Sequence, residues 1–186
     1  TFQNNTVSGF DLVGGSLAIT TMSGMVTVNN NIFQGNTIDG VGGVVAIMSS
    51  NSNPNNDQSV VFTNNTLTNN TQVRSSNAGS FGDGGGGLLV KRSKDVLIEN
   101  NTFENNVAGG DGGALWARDV QNIVIRGNAF DGNASDASGG AMYVYASRGS
   151  ITLEDNQITN NDSYQSGGAN LISTEGDIYV KSNTIS

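Results

Sequence analysis

Few side chains in this chain can do acid or base chemistry, and they are of narrow kind. Its 186 residues include 16 Asp and Glu and 8 Lys and Arg, with no His and no Cys. Imidazole proton transfer, thiolate nucleophiles, thiolate zinc sites and disulfides are therefore excluded together. What remains is carboxylate chemistry: clustered acids around calcium, or acids flanking a glycosidic bond. The acids are scattered, at Asp83, Glu99, Glu104, Asp111, Asp119, Asp131, Glu154, Asp155, Glu175 and Asp177. They imply no catalytic residue, metal or cofactor. A second kind of chemistry belongs to Trp116, Tyr143 and Tyr145, because flat rings bind sugar faces or protein partners.

Whether any of these residues meet depends on the elements that carry them. The chain holds 26 Gly and a single Pro, Pro54, with abundant Asn. Gly and Asn tolerate positive φ, so many tight turns are expected. Apolar residues alternate with period two in short bursts, and nowhere form a stripe at helical spacing. The chain reads as all-β.

One phrase recurs, as "VLIENNTFENN", "IVIRGNAFDGN" and "ITLEDNQITNN". Its large apolar residue returns as Phe2, Phe33, Leu67, Phe103, Phe130, Ile158 and Ile185, at intervals of 31, 34, 36, 27, 28 and 27 residues. Two positions earlier stand Asn31, Asn65, Asn101, Asn128, Asn156 and Asn183; three positions later stand Asn5, Asn36, Asn70, Asn106, Asn133 and Asn161. A Gly-Gly pair follows (Gly14-Gly15, Gly42-Gly43, Gly86-Gly87, Gly112-Gly113, Gly139-Gly140, Gly167-Gly168), then a second strand, then a third that returns to the asparagine. About six coils of roughly 27 residues, each with three short strands, describe a right-handed parallel β-helix over 1–186. The surplus residues, at 49–58 and 71–85, belong on its surface as loops.

Stacking brings equivalent positions together. The asparagines at each position form a column, with every amide bonding to the next and tolerating the left-handed turn conformation. Glu99 and Glu154 share a column with Arg126 and Lys181, which alternates in sign as a solvated face does. Glu104 and Asp131 lie in adjacent coils and could hold a cation, although two exposed turn acids are usually bland. After the Gly-Gly pair, the third residue runs Ala18, Ala46, Val90, Trp116, Tyr143, Leu171. Its neighbours Leu17, Ile19, Val45, Ile47, Leu115, Met142 and Val144 are aliphatic. If those point inward, Trp116 and Tyr143 form an outer aromatic ledge with Tyr145. Lys91 and Asn170 also fall in the inward set, so the reversed phase stays open.

The pairing of "GGAL" and "GGAM" with "FENN", "FDGN" and "FQGN" resembles the GGA[I/L/V] and FxxN repeats of chlamydial polymorphic membrane proteins. The resemblance covers the whole chain. It implies a β-helical passenger of the autotransporter kind, displayed at a cell surface and associated with adhesion.

Charge and chain ends set the remaining expectations. With net charge -8 and pI about 4.2, nucleic acid is a poor partner, as are anionic membrane surfaces. No apolar run is long enough to span a bilayer. Phe2 and Ile185 both occupy the marker position, so both ends fall mid-coil without caps. End-to-end self-association, or continuation by neighbouring repeats of a longer chain, is expected. Asn64, Asn69 and Asn100 begin sequons away from the ladder and are candidate glycan acceptors. The function expected is a non-catalytic extracellular or cell-surface β-helix: an adhesin passenger, stalk or filament subunit that contacts a host-cell or matrix protein or glycan. The alternative is a β-helix that binds or cleaves carbohydrate.

Overall fold

The computed structural model describes residues 1–50, 57–73, 84–147, 149–168 and 170–186. Asp83 and most of both inserted segments lie outside them, as do the side chains of Asn170 and Leu171. The strands join into four parallel sheets, here named A to D, that wind one after another around a common axis. Sheet A has seven strands and sheets B, C and D have six each. Among the described residues, each strand pairs with the strand one whole coil away and none with its sequence neighbour. A chain that pairs only in this way is a parallel β-helix.

Each coil therefore carries four strands, not three. The strand missed is that of sheet B, only two residues long in the later coils (Val107–Ala108, Ala134–Ser135, Asp162–Ser163). Two residues carry no visible alternation. The second insertion is also shorter than the sequence suggests, because Thr71–Val73 is sheet B strand.

The core is the space the four sheets enclose. Sheet A contributes the marker column, in which Phe33, Leu67, Phe103, Phe130 and Ile158 have no solvent exposure. Phe103 and Phe130 stack with centroids 4.7 Å apart and planes 1° from parallel, the separation of neighbouring strands. Val60, Phe62, Val96, Ile98, Ile123, Ile125, Ile151 and Leu153 fill it from sheet D. Sheet C turns Val45, Ile47, Leu88, Val90, Leu115, Ala117, Met142 and Val144 inward.

That set resolves the phase of sheet C and corrects its register. Leu89, not Val90, pairs with Ala46 and Trp116. The slip arises at the run Gly84–Gly87, where the stacked pair is Gly85-Gly86 rather than Gly86-Gly87. Gly85, Gly112 and Gly139 all take positive φ, at 90°, 69° and 74°. A Cβ on Gly86 would overlap the carbonyl oxygen of Gly113, and one on Gly113 that of Gly140, so only glycine lets these backbones approach. With the register moved by one, Lys91 pairs with Met48 and Arg118 on the outer face. It no longer contradicts an apolar interior.

Two asparagine ladders brace the corners on either side of sheet A. In the first, the backbone N–H and Nδ2 of Asn101 both donate to Asn128 Oδ1, at 2.9 and 3.0 Å. Nδ2 also donates across to the Phe62 carbonyl of the previous coil, at 2.9 Å. The same pattern links Asn31, Asn65, Asn128, Asn156 and Asn183. The second ladder runs Asn5, Asn36, Asn70, Asn106, Asn133, Asn161. Buried amides are costly when unpaired; here every donor has an acceptor.

The left-handed turn residue is not the ladder asparagine but the one before it. Asn30, Asn64, Asn100, Gly127, Asp155 and Ser182 hold φ between 54° and 63° ahead of the first ladder. The division of labour is physical. An αL residue turns the corner in solvent, and the next asparagine then points its amide inward along the axis.

Candidate functional site

The outer faces were where the sequence placed chemistry, and the coils arrange them as columns. On sheet D, the column Glu99, Arg126, Glu154, Lys181 follows from the strand register. Arg126 Nε donates to Glu99 Oε1 at 2.6 Å, and Lys181 Nζ to Glu154 Oε1 at 2.7 Å. The Lys181 ammonium lowers the Glu154 carboxyl below its ordinary range, and Glu154 raises Lys181 in return. A shallow groove of about 330 Å³ lies beside this column, with Val61, Leu97 and Val124 as its floor. Its acid, Asp95, accepts a 2.9 Å hydrogen bond from Asn122 Nδ2.

On sheet A, Glu104 and Asp131 are paired neighbours, as the stacking predicts. Asp131 Oδ1 accepts from Thr159 Oγ1 at 2.6 Å and from Asn160 Nδ2 at 2.8 Å. Those two hydrogen bonds lower its pKa. It is thus tied to the coil on its far side from Glu104.

Sheet C differs. Its outer face carries a two-by-three array across three successive strands: Leu89 and Lys91, Trp116 and Arg118, Tyr143 and Tyr145. Trp116 faces away from the core, as the aliphatic phase requires, yet it is 1% exposed. The expected open ledge is closed at this residue. Trp116 packs with Ala46 and Leu89 in a small cluster separate from the core, flanked by Met48 and Tyr143. The Lys91 ammonium lies 5.3 Å from its ring centroid, within cation–π range. Tyr143 stacks against it at 6.4 Å and 17°. Trp116 Nε1 is buried and has no hydrogen-bond partner.

Tyr143 and Tyr145 are half-buried. Burial raises the Tyr143 phenol above its ordinary pKa, with the Asp111 charge adding to the rise and Arg118 opposing it. The phenol stays a proton donor over the whole physiological range. Lys91 and Arg118 were the residues missed on sequence. Lys91 was misassigned by the register slip, and Arg118 became visible only with Lys91 beside it.

Asn64, Asn69 and Asn100 are exposed αL turn residues. Asn133 begins a further sequon but is fully buried in the second ladder, so its amide is out of reach of a glycan.

Four wound parallel sheets, a stacked core and laddered corners define the right-handed parallel β-helix class. The chain matches the family model described as a right-handed β-helix region over residues 1–185, and it belongs to that family. No curated protein and no solved structure matches it.

Proposed function

We propose that the chain is a non-catalytic β-helical scaffold of a cell surface or extracellular space, serving as an adhesin passenger, stalk or filament subunit. One observation carries this reading: four outward acids on sheets A and D, Glu99, Glu154, Asp131 and Asp95, engage the coils themselves. Glu99 and Glu154 bind cations one coil away, Asp131 binds Thr159 and Asn160, and Asp95 binds Asn122. A general acid or a nucleophile needs a carboxyl aimed at substrate; these are aimed at their neighbours. They brace a rod.

The resemblance of "GGAL" and "FENN" to the repeats of chlamydial polymorphic membrane proteins supports the surface setting, as does the autotransporter-passenger architecture it implies. The exposed sequons Asn64, Asn69 and Asn100 suit a secreted glycoprotein. Parallel pairing in all four sheets suits self-association, because any like coil, from the same chain or another copy, can extend it.

The test is incubation with acidic and neutral polysaccharides, followed by viscosity and reducing-end measurements. Both are expected to stay at the level of the protein-free control. A sustained fall in viscosity with new reducing or unsaturated ends would overturn the non-catalytic reading.

A further inference from the structure

The outer face of sheet D carries an aliphatic stripe. Val61, Leu97 and Val124 pair in register on three adjacent strands. They are half-buried by their neighbours and floor the shallow groove. The matching outer positions of sheet A read Thr66, Thr102, Ala129 and Gln157, as suits a face kept in water. Closure of the core does not explain three aliphatic residues stacked outside it.

The alternating column borders this stripe, reading Glu99, Arg126, Glu154, Lys181 along the axis. On the other side stand Asp95 and Asn122, paired in register. The column is neutral within a chain of net charge -8, so two copies meet there with less repulsion than over an average stretch of surface. It also complements itself: reversed end for end, alternating acid and cation become cation and acid. A two-fold axis laid along the strands, between Leu97 and Val124, uses that property. It sets Glu99 against Arg126 of the other copy, Leu97 against Val124, and Asp95 against Asn122. One coil further out, Thr63 meets Glu154 and Val61 meets Thr152, so no like charges are opposed at these positions. Parallel pairing, with the axis along the rod, would instead set Glu99 against Asp95. Sheets packed face to face lie about 10 Å apart and within about 30° of alignment, so side chains near the axis touch.

We infer that the outer face of sheet D pairs two copies of this chain side by side, as an antiparallel two-fold dimer centred between Leu97 and Val124. The aliphatic stripe is its buried centre. The Glu99–Arg126 bridges of the two copies join into a network of four charges, which is worth more than isolated surface bridges. The six strands of sheet D present a face of roughly 17 Å by 29 Å. Two copies then hide about 1,000 Å², the low end for specific interfaces, so the dimer is expected to be reversible in the micromolar range. The inference stands apart from the non-catalytic reading, since side-by-side pairing neither needs nor forbids a reaction. It differs too from end-to-end growth, which is open-ended, whereas a two-fold contact closes at two.

Sedimentation equilibrium of the chain, from about 1 μM to about 1 mM, is the test, and a monomer–dimer equilibrium is expected. Glu99→Arg and Arg126→Glu each oppose like charges across the interface, and each is expected to weaken the dimer about tenfold or more. Mixed in equal amounts, the two variants are expected to recover pairing as a heterodimer, because each then supplies the sign the other needs. Parallel pairing predicts no such recovery. Should either reversal fail to fold, cysteine carries the test instead. The chain has no native cysteine, so a short bismaleimide is expected to join Leu97→Cys to Val124→Cys in a mixture more than it joins either variant to itself. A monomer at every concentration overturns the inference. So does growth past the dimer, a dimer indifferent to both reversals, or a mixture that recovers nothing. The cleavage assay bears only on the non-catalytic reading, so each can fail alone.

Discussion

The corner between sheets D and A and the outer face of sheet C show what repetition means in this molecule. At the corner, successive coils bring the same kinds of residue: an αL turn residue, a ladder asparagine, an apolar anchor. On sheet C the core-facing side repeats equally well, but the outer column runs Ala18, Ala46, Leu89, Trp116, Tyr143. A position that repeats is answering a demand common to all coils, namely closure and stacking. A position that changes is released from that demand. The corner builds the rod, and the varied face is where it can differ from any other rod.

The sharpest way to break this comparison is to injure the corner. Asn106→Ala removes Oδ1, the acceptor for both the backbone N–H and Nδ2 of Asn70, and the donor to the Leu67 carbonyl. Two donors are then left buried without acceptors, which costs about 3–5 kcal/mol by the desolvation penalty of such groups. Chemical denaturation should show that loss. If Asn106→Ala unfolds within about 1 kcal/mol of the parent, the ladder is ornamental and the comparison collapses.

The varied face should answer differently. Trp116→Phe deletes a buried donor that has no partner at the cost of some apolar contact with Leu89 and Ala46. The orphan donor costs about 1–3 kcal/mol, and the lost area roughly offsets it. The expected change in unfolding free energy is therefore within about 1 kcal/mol, of either sign. A large loss would mean that Trp116 is a structural anchor of the same rank as Phe103. It would not then be a residue retained for what it presents.

The same contrast explains what could be read from the chain before its structure was known. The ladder and the marker column were legible because identity recurs at a fixed spacing, and stacking turns recurrence into contact. Sheet B was not legible, because a two-residue strand such as Ala134–Ser135 carries too little pattern to show its period. The outer face of sheet C was half legible. Its direction followed from Leu115 and Met142, but four consecutive glycines, Gly84–Gly87, hid which pair stacks. That single-residue slip moved Lys91 to the wrong face. The burial of Trp116 was not legible, since the residues it packs against include Leu89, misplaced by the same slip.

The smallest expected effect sharpens the comparison from the side of charge. Glu154 and Lys181 pair at 2.7 Å on an exposed face, where solvent screening leaves such a bridge little energy. Its signature is pH dependence. Glu154 is lowered in the folded chain, chiefly by its hydrogen bond from Lys181, so its contribution is complete above the ordinary carboxylate range. That contribution is lost as pH falls through the folded value. Lys181 is raised, chiefly by the hydrogen bond to Glu154; its contribution is complete below the ordinary ammonium range and is lost as pH rises through the folded value. Melting temperature should therefore sag slightly at both extremes, and Lys181→Gln should remove this pair's share of each sag while leaving mid-range stability almost unchanged. If Lys181→Gln instead destabilises strongly at neutral pH, the alternating column is part of what holds the coils together. The structural territory would then extend from the corner onto the outer face of sheet D, and only sheet C would remain free to vary.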